Sequence, residues 1–176
     1  MSLTSYISDY DPHWPAMFEA ERVRIQDKLG DLVREIHHVG STAVPGMKAK
    51  PEIDILIVVK SIGDIDPINA GMAELGYDVR GECGIEGRYY YSKNTQTART
   101  HKAHVCEGSH SNVSRQIAFR DFMRDHHKDA DEYAELKTRL AKSNRKGMAE
   151  YLDGKTSYIE RIIHVAIAEG YGRPNA

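Results

Sequence analysis

The segment 38–59 contains the residues whose types and spacing are best suited to chemistry, in the run HVGSTAVPGMKAKPEIDILIVV. Gly40 and Ser41 end one strand-like stretch, and after ten further residues Glu52 and Asp54 open another. Because side chains alternate along a strand, both acidic side chains are expected on one face. Paired carboxylates can bind Mg²⁺, and a glycine–serine turn lets the backbone approach a phosphate. The pattern predicts metal-assisted attack on a nucleoside triphosphate.

The glycines of this segment do not form a P-loop. A P-loop has the pattern GxxxxGK, followed by Ser or Thr, and leads into a helix. Here five residues separate Gly40 from Gly46, Met47 follows, and the next element is a strand. Lys50, in the same loop, remains a candidate phosphate ligand because a lysine carries a mobile positive charge.

Three further candidates lie on later strand-like stretches. His104 could complete a metal site or act as a general base, although Mg²⁺ prefers oxygen ligands. Lys102 is two residues away and shares the same strand face, where a cation could contact a phosphate. Arg88 offers a planar fork that suits phosphate oxygens. The alternative for these basic residues is a solvated surface position, and for Asp54 it is a buried carboxylate satisfied by backbone donors or a nearby lysine.

The composition excludes several classes of protein. Lys and Arg number 24 and Asp and Glu number 26, a net charge of −2 that argues against charge-driven binding to nucleic acid. No apolar run approaches the ~20 residues that a membrane span needs. The first residues lack the basic and apolar blocks of a signal peptide, so we expect a cytoplasmic protein. The two cysteines, Cys83 and Cys106, lack the spacing of a metal site.

Hydrophobic periodicity divides the chain into a strand-rich part and a helical part. Strands are expected at 35–39, 52–59, 88–92 and 101–106, and helices at 66–75, 112–125, 129–143 and 147–169, after an opening helix with Asp11 as its N-cap and Gly30 as its end. The order predicts an α+β fold with a mixed sheet and C-terminal helices packed on one side. We expect a single domain over 1–176, with its sheet-containing core at 1–111 and its helical part at 112–176.

The run GSTAVPGMKAKPEIDI at 40–55 resembles the signature of the GrpB family, also called UPF0157, which is placed in the nucleotidyltransferase superfamily of the DNA polymerase beta type. Five further runs are similar to other blocks of that family: YDPHWPAMFEAE at 10–21, GIEGRYYYSK at 84–93, RTHKAHV at 99–105, FRDFMRDH at 119–126 and YLDGKTSYIE at 151–160. The resemblance therefore covers nearly the whole chain.

This resemblance implies a nucleotidyltransferase-like sheet with the glycine–serine loop and the acidic pair at one edge. Gly40 and Ser41 match the superfamily's turn, and Glu52 and Asp54 match its paired acids. The usual third acid has no clear match, and His104 occupies the strand expected to carry it.

The implied activity is Mg²⁺-dependent transfer of a nucleotidyl group from ATP or another nucleoside triphosphate to a small-molecule or protein acceptor. A second hypothesis is a nucleotide-binding module that has lost catalysis, because the acid set is incomplete. A third is a metal hydrolase that uses His104 and Asp54.

Overall fold

The computed structural model describes residues 6–172. In that part of the chain the order of the elements is that of an α+β protein, as predicted. The helices and strands are α1 (Trp14–Leu29), β1 (Val33–Val39), β2 (Ile53–Val59), α2 (Asp66–Glu74), β3 (Asp78–Val79), β4 (Arg88–Asn94), β5 (Arg99–Glu107), α3 (Ser111–Asp125), α4 (His127–Ser143) and α5 (Met148–Ala168). Within residues 6–172, none of the helices combines the length and the apolar character required to cross a membrane.

The sheet is mixed, and its strands lie in the order β1-β2-β5-β4-β3. β2 is parallel to β5, whereas the other neighbouring pairs are antiparallel. The apolar run of β2 is buried on both faces, as expected for a central strand. In the parallel register Asp54 lies beside Lys102, and Leu56 lies beside His104. Tyr90 lies on the other side of His104, in the antiparallel pair with β4.

Different helices cover the two faces of the sheet. Ile55 of β2 lies on the face that packs against α1 and α2. Leu56 lies on the opposite face, where it belongs to a cluster with Val113 of α3. α4 and α5 pack with α3 in a second layer of buried side chains. The C-terminal helices therefore cover one side of the sheet, as predicted, and Asp54 lies on that side because it alternates with Ile55.

The loop between β1 and β2 is anchored on the C-terminal helices. It opens with a single 3₁₀ turn at Ser41–Ala43. Val44 and Met47 are buried in the cluster formed by α3, α4 and α5. Arg124 of α3 donates a hydrogen bond from Nε to the carbonyl of Ala43 at 2.9 Å. The glycine–serine turn is thus held between the sheet and the helices.

The structure differs from the predicted elements in three places. β3 is two residues long, and a strand that short has no periodicity to detect. β4 and β5 extend into the stretch 93–100, which the sequence predicts as their connection. Asp11 is not the N-cap of α1, because its carboxylate accepts a hydrogen bond from the His13 N–H at 2.9 Å and the helix begins at Trp14.

Candidate functional site

Asp54 is the second residue of β2, and Glu52 lies just before the strand, which begins at Ile53 rather than at the predicted 52. The two acidic side chains share one lysine. Lys102 Nζ lies 2.9 Å from Asp54 Oδ1 and 3.5 Å from Glu52 Oε2. Burial opposes ionisation of Asp54, but the positive charges around it, above all the Lys102 ammonium, together keep the pKa of this carboxyl below its usual value. Burial likewise opposes the charge of Lys102, and the two carboxylates overcome it and raise the pKa of Lys102. The site therefore contains a stable ion pair at neutral pH.

Gly40 brings the backbone of the loop into contact with the Asp54 carboxylate. Its φ of 72° lies in the left-handed region that favours glycine. A Cβ placed on Gly40 would lie 2.5 Å from Asp54 Oδ2, closer than side chains can approach. Only a residue without a side chain lets the turn pass so close to the acidic group.

A small cavity of about 210 Å³ opens beside this turn. Gly40, Ser41, Asp54 and Lys155 line one part of it. The remaining lining residues come from the helices: Arg115, Gln116, Phe119, Tyr133, Ile159 and Ile163. The cavity thus combines the predicted glycine–serine turn and the predicted acid with a lysine of α5 and an apolar wall.

Two lysines of the C-terminal helices lie close to the glycine–serine turn: Lys137 contacts Ser41, and Lys155 lines the cavity beside it. Lys137 of α4 is 2% exposed, and its Nζ donates to Ser41 Oγ at 2.8 Å and to the Lys48 carbonyl at 2.7 Å. Within residues 6–172, neither Lys137 nor Lys155 forms an ion pair with a carboxylate. Burial, followed by repulsion from neighbouring lysines, lowers the pKa of Lys137 to about 7 and that of Lys155 to about 8.

Lys50 lies at the edge of this region rather than in the cavity. Its Nζ is 4.5 Å from the centre of the Tyr151 ring, and Lys155 contacts the same ring at 4.9 Å. Burial is the main cause of the lowered pKa of Lys50. Lys50 therefore adds a positive charge near Glu52 without lining the cavity.

His104 of β5 and Arg88 of β4, both predicted site residues, contact each other. Arg88 Nη1 lies 3.0 Å from His104 Nδ1. A guanidinium can only donate hydrogen bonds, so Nδ1 must accept and the ring proton must lie on Nε2. Burial lowers the pKa of His104 to about 4, which keeps the ring neutral. In this tautomer neither ring nitrogen has a lone pair free for a metal or for a substrate proton.

Arg88 itself is a structural residue. It is 8% exposed, and its Nη2 donates to the carbonyls of Glu82 and Cys83 at 2.9 and 3.2 Å. Arg88 does not line the cavity at the glycine–serine turn. This placement gives no support to the predicted phosphate role of Arg88, because Nη1 and Nη2 hold the ring of His104 and the loop before β4.

The acidic pair fits Mg²⁺ better than a transition metal. Among residues 6–172 there is no group of three or more His, Cys, Asp and Glu side chains that could hold a metal ion. Proteins often bind Mg²⁺ through one or two carboxylates and leave the other positions to water and substrate phosphates. Asp54 and Glu52 meet that requirement. The hydrolase hypothesis has no support, because the Nδ1 lone pair of His104 accepts a hydrogen bond from Arg88.

Lys137 is the residue that the sequence analysis misses. It follows Tyr133 by one helical turn in the buried stripe of α4, where apolar residues are expected. A lysine at such a position is a detectable signal, because a buried ammonium needs a specific partner. Its partner could not be identified, because Ser41 is 96 residues away in the chain.

The fold and the site together define an α+β protein in which a glycine–serine turn meets an acidic pair under a layer of C-terminal helices. The chain belongs to the GrpB family, since the family model described as GrpB protein matches residues 5–164. This confirms the resemblance seen in the sequence.

Individual relatives agree with this assignment. The UPF0157 protein YqkA from Bacillus subtilis is 38% identical over 167 residues, which are 95% of this chain and 48% of that protein. This chain thus spans about half the length of YqkA. The crystal structure of conserved protein GrpB from Enterococcus faecalis has a TM-score of 0.87 and 31% identity, and the match covers 93% of this chain and 98% of that chain.

A match to a nucleotidyltransferase of known structure is much weaker. Terminal uridylyl transferase 4 from Trypanosoma brucei with bound CTP has a TM-score of 0.45 and 10% identity, over 88% of this chain and 50% of that chain. This likeness is too distant to establish a shared fold.

The contact between Gly40 and Asp54 predicts that Gly40→Ala is more destabilising than Gly46→Ala. Both glycines have positive φ, so each alanine adds backbone strain of about 1–2 kcal/mol. A Cβ on Gly46 has nothing within 4 Å, whereas one on Gly40 also collides with the carboxylate. Urea denaturation of the two variants measures the difference, and equal losses of unfolding free energy would show that the contact carries no energy.

Proposed function

We propose that this protein binds a nucleoside triphosphate in the cavity beside Gly40 and Ser41 and transfers its nucleotidyl group to a hydroxyl acceptor. The observation that carries the proposal is an excess of positive charge around the acidic pair. Four lysines from four parts of the chain surround two carboxylates: Lys50, Lys102, Lys137 and Lys155 against Glu52 and Asp54. An anionic ligand would relieve the repulsion between lysines that, after burial, contributes to the lowered pKa values of Lys50, Lys137 and Lys155.

Different residues of the site would contact different parts of the triphosphate. The turn at Gly40 and Ser41 offers backbone N–H groups and a hydroxyl to the β- and γ-phosphates. Lys155, in the cavity wall, supplies positive charge that would stabilise the departing pyrophosphate. The apolar side chains of α3 and α5 in the same wall limit the access of water to this region.

Asp54 and Glu52 would hold Mg²⁺ in this function. When bound, the ion would neutralise charge on the phosphate oxygens and align the nucleophile with the leaving group. The acceptor is a small molecule or a protein that presents a hydroxyl group. Asp54 is ionised at neutral pH, as a metal ligand must be.

A second candidate function is nucleotide binding without transfer, and Lys102 favours it. The superfamily's third acid is expected on a later strand, and here Lys102 of β5 lies directly beside Asp54. Its ammonium already neutralises part of the charge of the acidic pair. A site arranged in this way can bind phosphates with lysines alone.

The lysine in the cavity wall predicts that Lys155→Met weakens ATP binding. Loss of one charge-assisted contact is expected to lower the affinity roughly tenfold or more. Lys128→Met removes an exposed lysine at the start of α4 and is the matched control, which should bind as the wild type does. Isothermal titration calorimetry measures both affinities, and equal affinities would place the nucleotide elsewhere.

The acidic pair predicts that Asp54→Asn removes the effect of Mg²⁺ on ATP binding. In the wild type, Mg²⁺ should raise the affinity for ATP, whereas the variant should bind ATP equally well with and without the ion. The amide keeps the shape of the side chain and removes only its charge. Asp131→Asn, on the exposed part of α4, should behave as the wild type. An unchanged Mg²⁺ effect in Asp54→Asn would exclude Asp54 as a ligand.

If the protein transfers a nucleotidyl group, it should release pyrophosphate and incorporate label from α-³²P ATP into an acceptor. The wild type is incubated with small hydroxyl compounds and with protein fractions, and Asp54→Asn should lose about 100-fold or more of the rate. ATP binding without any label transfer would instead support the nucleotide-binding module.

A further inference from the structure

Lys137 connects the two ends of the segment 41–48 in the loop between β1 and β2. Its Nζ donates to Ser41 Oγ at the start of the loop and to the Lys48 carbonyl near its end, at 2.8 and 2.7 Å. These two bonds join α4 to both sides of the segment 41–48. The side chain is 2% exposed, so water cannot replace either bond easily. The shape of the loop therefore depends on this amine.

The charged groups around Lys137 come from several elements. Tyr133 of its own helix places its ring centre 4.7 Å from Nζ. Lys155 on α5 and Lys102 on β5 oppose the protonated form, and Asp54 on β2 favours it. Burial is the largest influence, and the resulting pKa is about 7. The amine is mostly neutral in mildly alkaline solution, and a neutral amine has two N–H bonds, enough for both acceptors.

We propose that Lys137 belongs to the polyphosphate site and takes up a proton from solvent when a polyphosphate binds beside Ser41. This inference rests on the proposed function, because it needs a phosphate at the glycine–serine turn. Several negative charges close to Nζ favour the ammonium over the amine. Lys137 does not line the cavity itself but donates to Ser41 Oγ, which does. The added proton strengthens this bond and leaves the Ser41 O–H to donate to a phosphate oxygen, while the bond to Lys48 remains.

The sign of the pH dependence follows from linkage between the proton and the ligand. Below about pH 6 Lys137 is already protonated in the free protein, so binding takes up no proton there. Above about pH 7 the free protein has lost the proton and the complex keeps it, so affinity falls by up to about tenfold per pH unit. Lys155 contributes in the same direction at slightly higher pH.

The test is isothermal titration calorimetry with ATP and Mg²⁺ at about pH 8, in buffers with different ionisation enthalpies, which gives the number of protons taken up. The wild type is compared with Lys137→Met and Lys137→Arg. The wild type should take up nearly one proton more than either variant. Taking this difference cancels the contribution of ATP itself. The neutral Met and the charged Arg shift the pKa of Lys155 in opposite directions, so the two variants bracket the contribution of Lys155.

Lys137→Arg separates proton uptake from a purely structural role. Arginine stays protonated, so this variant should bind ATP with an affinity that changes less with pH than that of the wild type. Circular dichroism establishes that each variant is folded. If Lys137→Met does not fold, the comparison with Lys137→Arg decides the question.

The outcomes distinguish this inference from the proposed function. Equal proton uptake by the wild type and the folded variants would overturn the role of Lys137 and leave ATP binding intact. Absence of ATP binding by the wild type at every pH would overturn the proposed function, and the inference with it. Greater uptake by the wild type would support both.

Discussion

A carboxylate near the start of an interior strand is the constraint on which the site depends. Asp54 carries its charge into a partly buried position, 19% exposed, and an ionised carboxylate there needs a partner. The parallel pairing of β2 with β5 provides one by placing Lys102 beside it. Gly40 completes the arrangement, because its missing side chain leaves room for the second oxygen of the carboxylate. Strand register, ion pair and turn are thus one unit.

The C-terminal helices add positive charge to this unit at a cost in stability. Lys137 is buried and Lys155 partly buried, which disfavours their ammonium forms, and no carboxylate within residues 6–172 pairs with them. Apolar side chains of similar size would pack in the same layer without this penalty. Side chains that reduce the stability of the free protein are common at sites where a bound ligand offsets this loss. α4 and α5 therefore serve to bring charge to the loop as well as to cover the sheet.

The parts of this structure that the sequence predicts are those with a local or periodic signal. The alternation predicted for 52–59 puts Glu52 and Asp54 on one face, and Lys102 contacts both of them although the strand itself begins at Ile53. The contacts that are not predicted depend on partners distant in the chain. Lys137 reaches Ser41 across 96 residues, and the tautomer of His104 depends on a neighbour in another strand. No spacing in the sequence encodes these contacts, since they arise only when helices and strands have packed.

Lys102 connects the two candidate functions, because the same ammonium can serve the protein or a ligand. In the ligand-free protein it occupies Asp54 Oδ1, while the other oxygen of Asp54 lies against Gly40. A triphosphate beside the turn would offer Lys102 phosphate oxygens in place of the carboxylate. If the Lys102 ammonium pairs with the phosphates instead, Asp54 becomes free to bind Mg²⁺, and the site can support nucleotidyl transfer. If the ion pair persists, Asp54 stays neutralised and the site can only bind. Under the proposed function, the balance between these two ion pairs therefore decides whether the site transfers a nucleotidyl group or only binds the nucleotide.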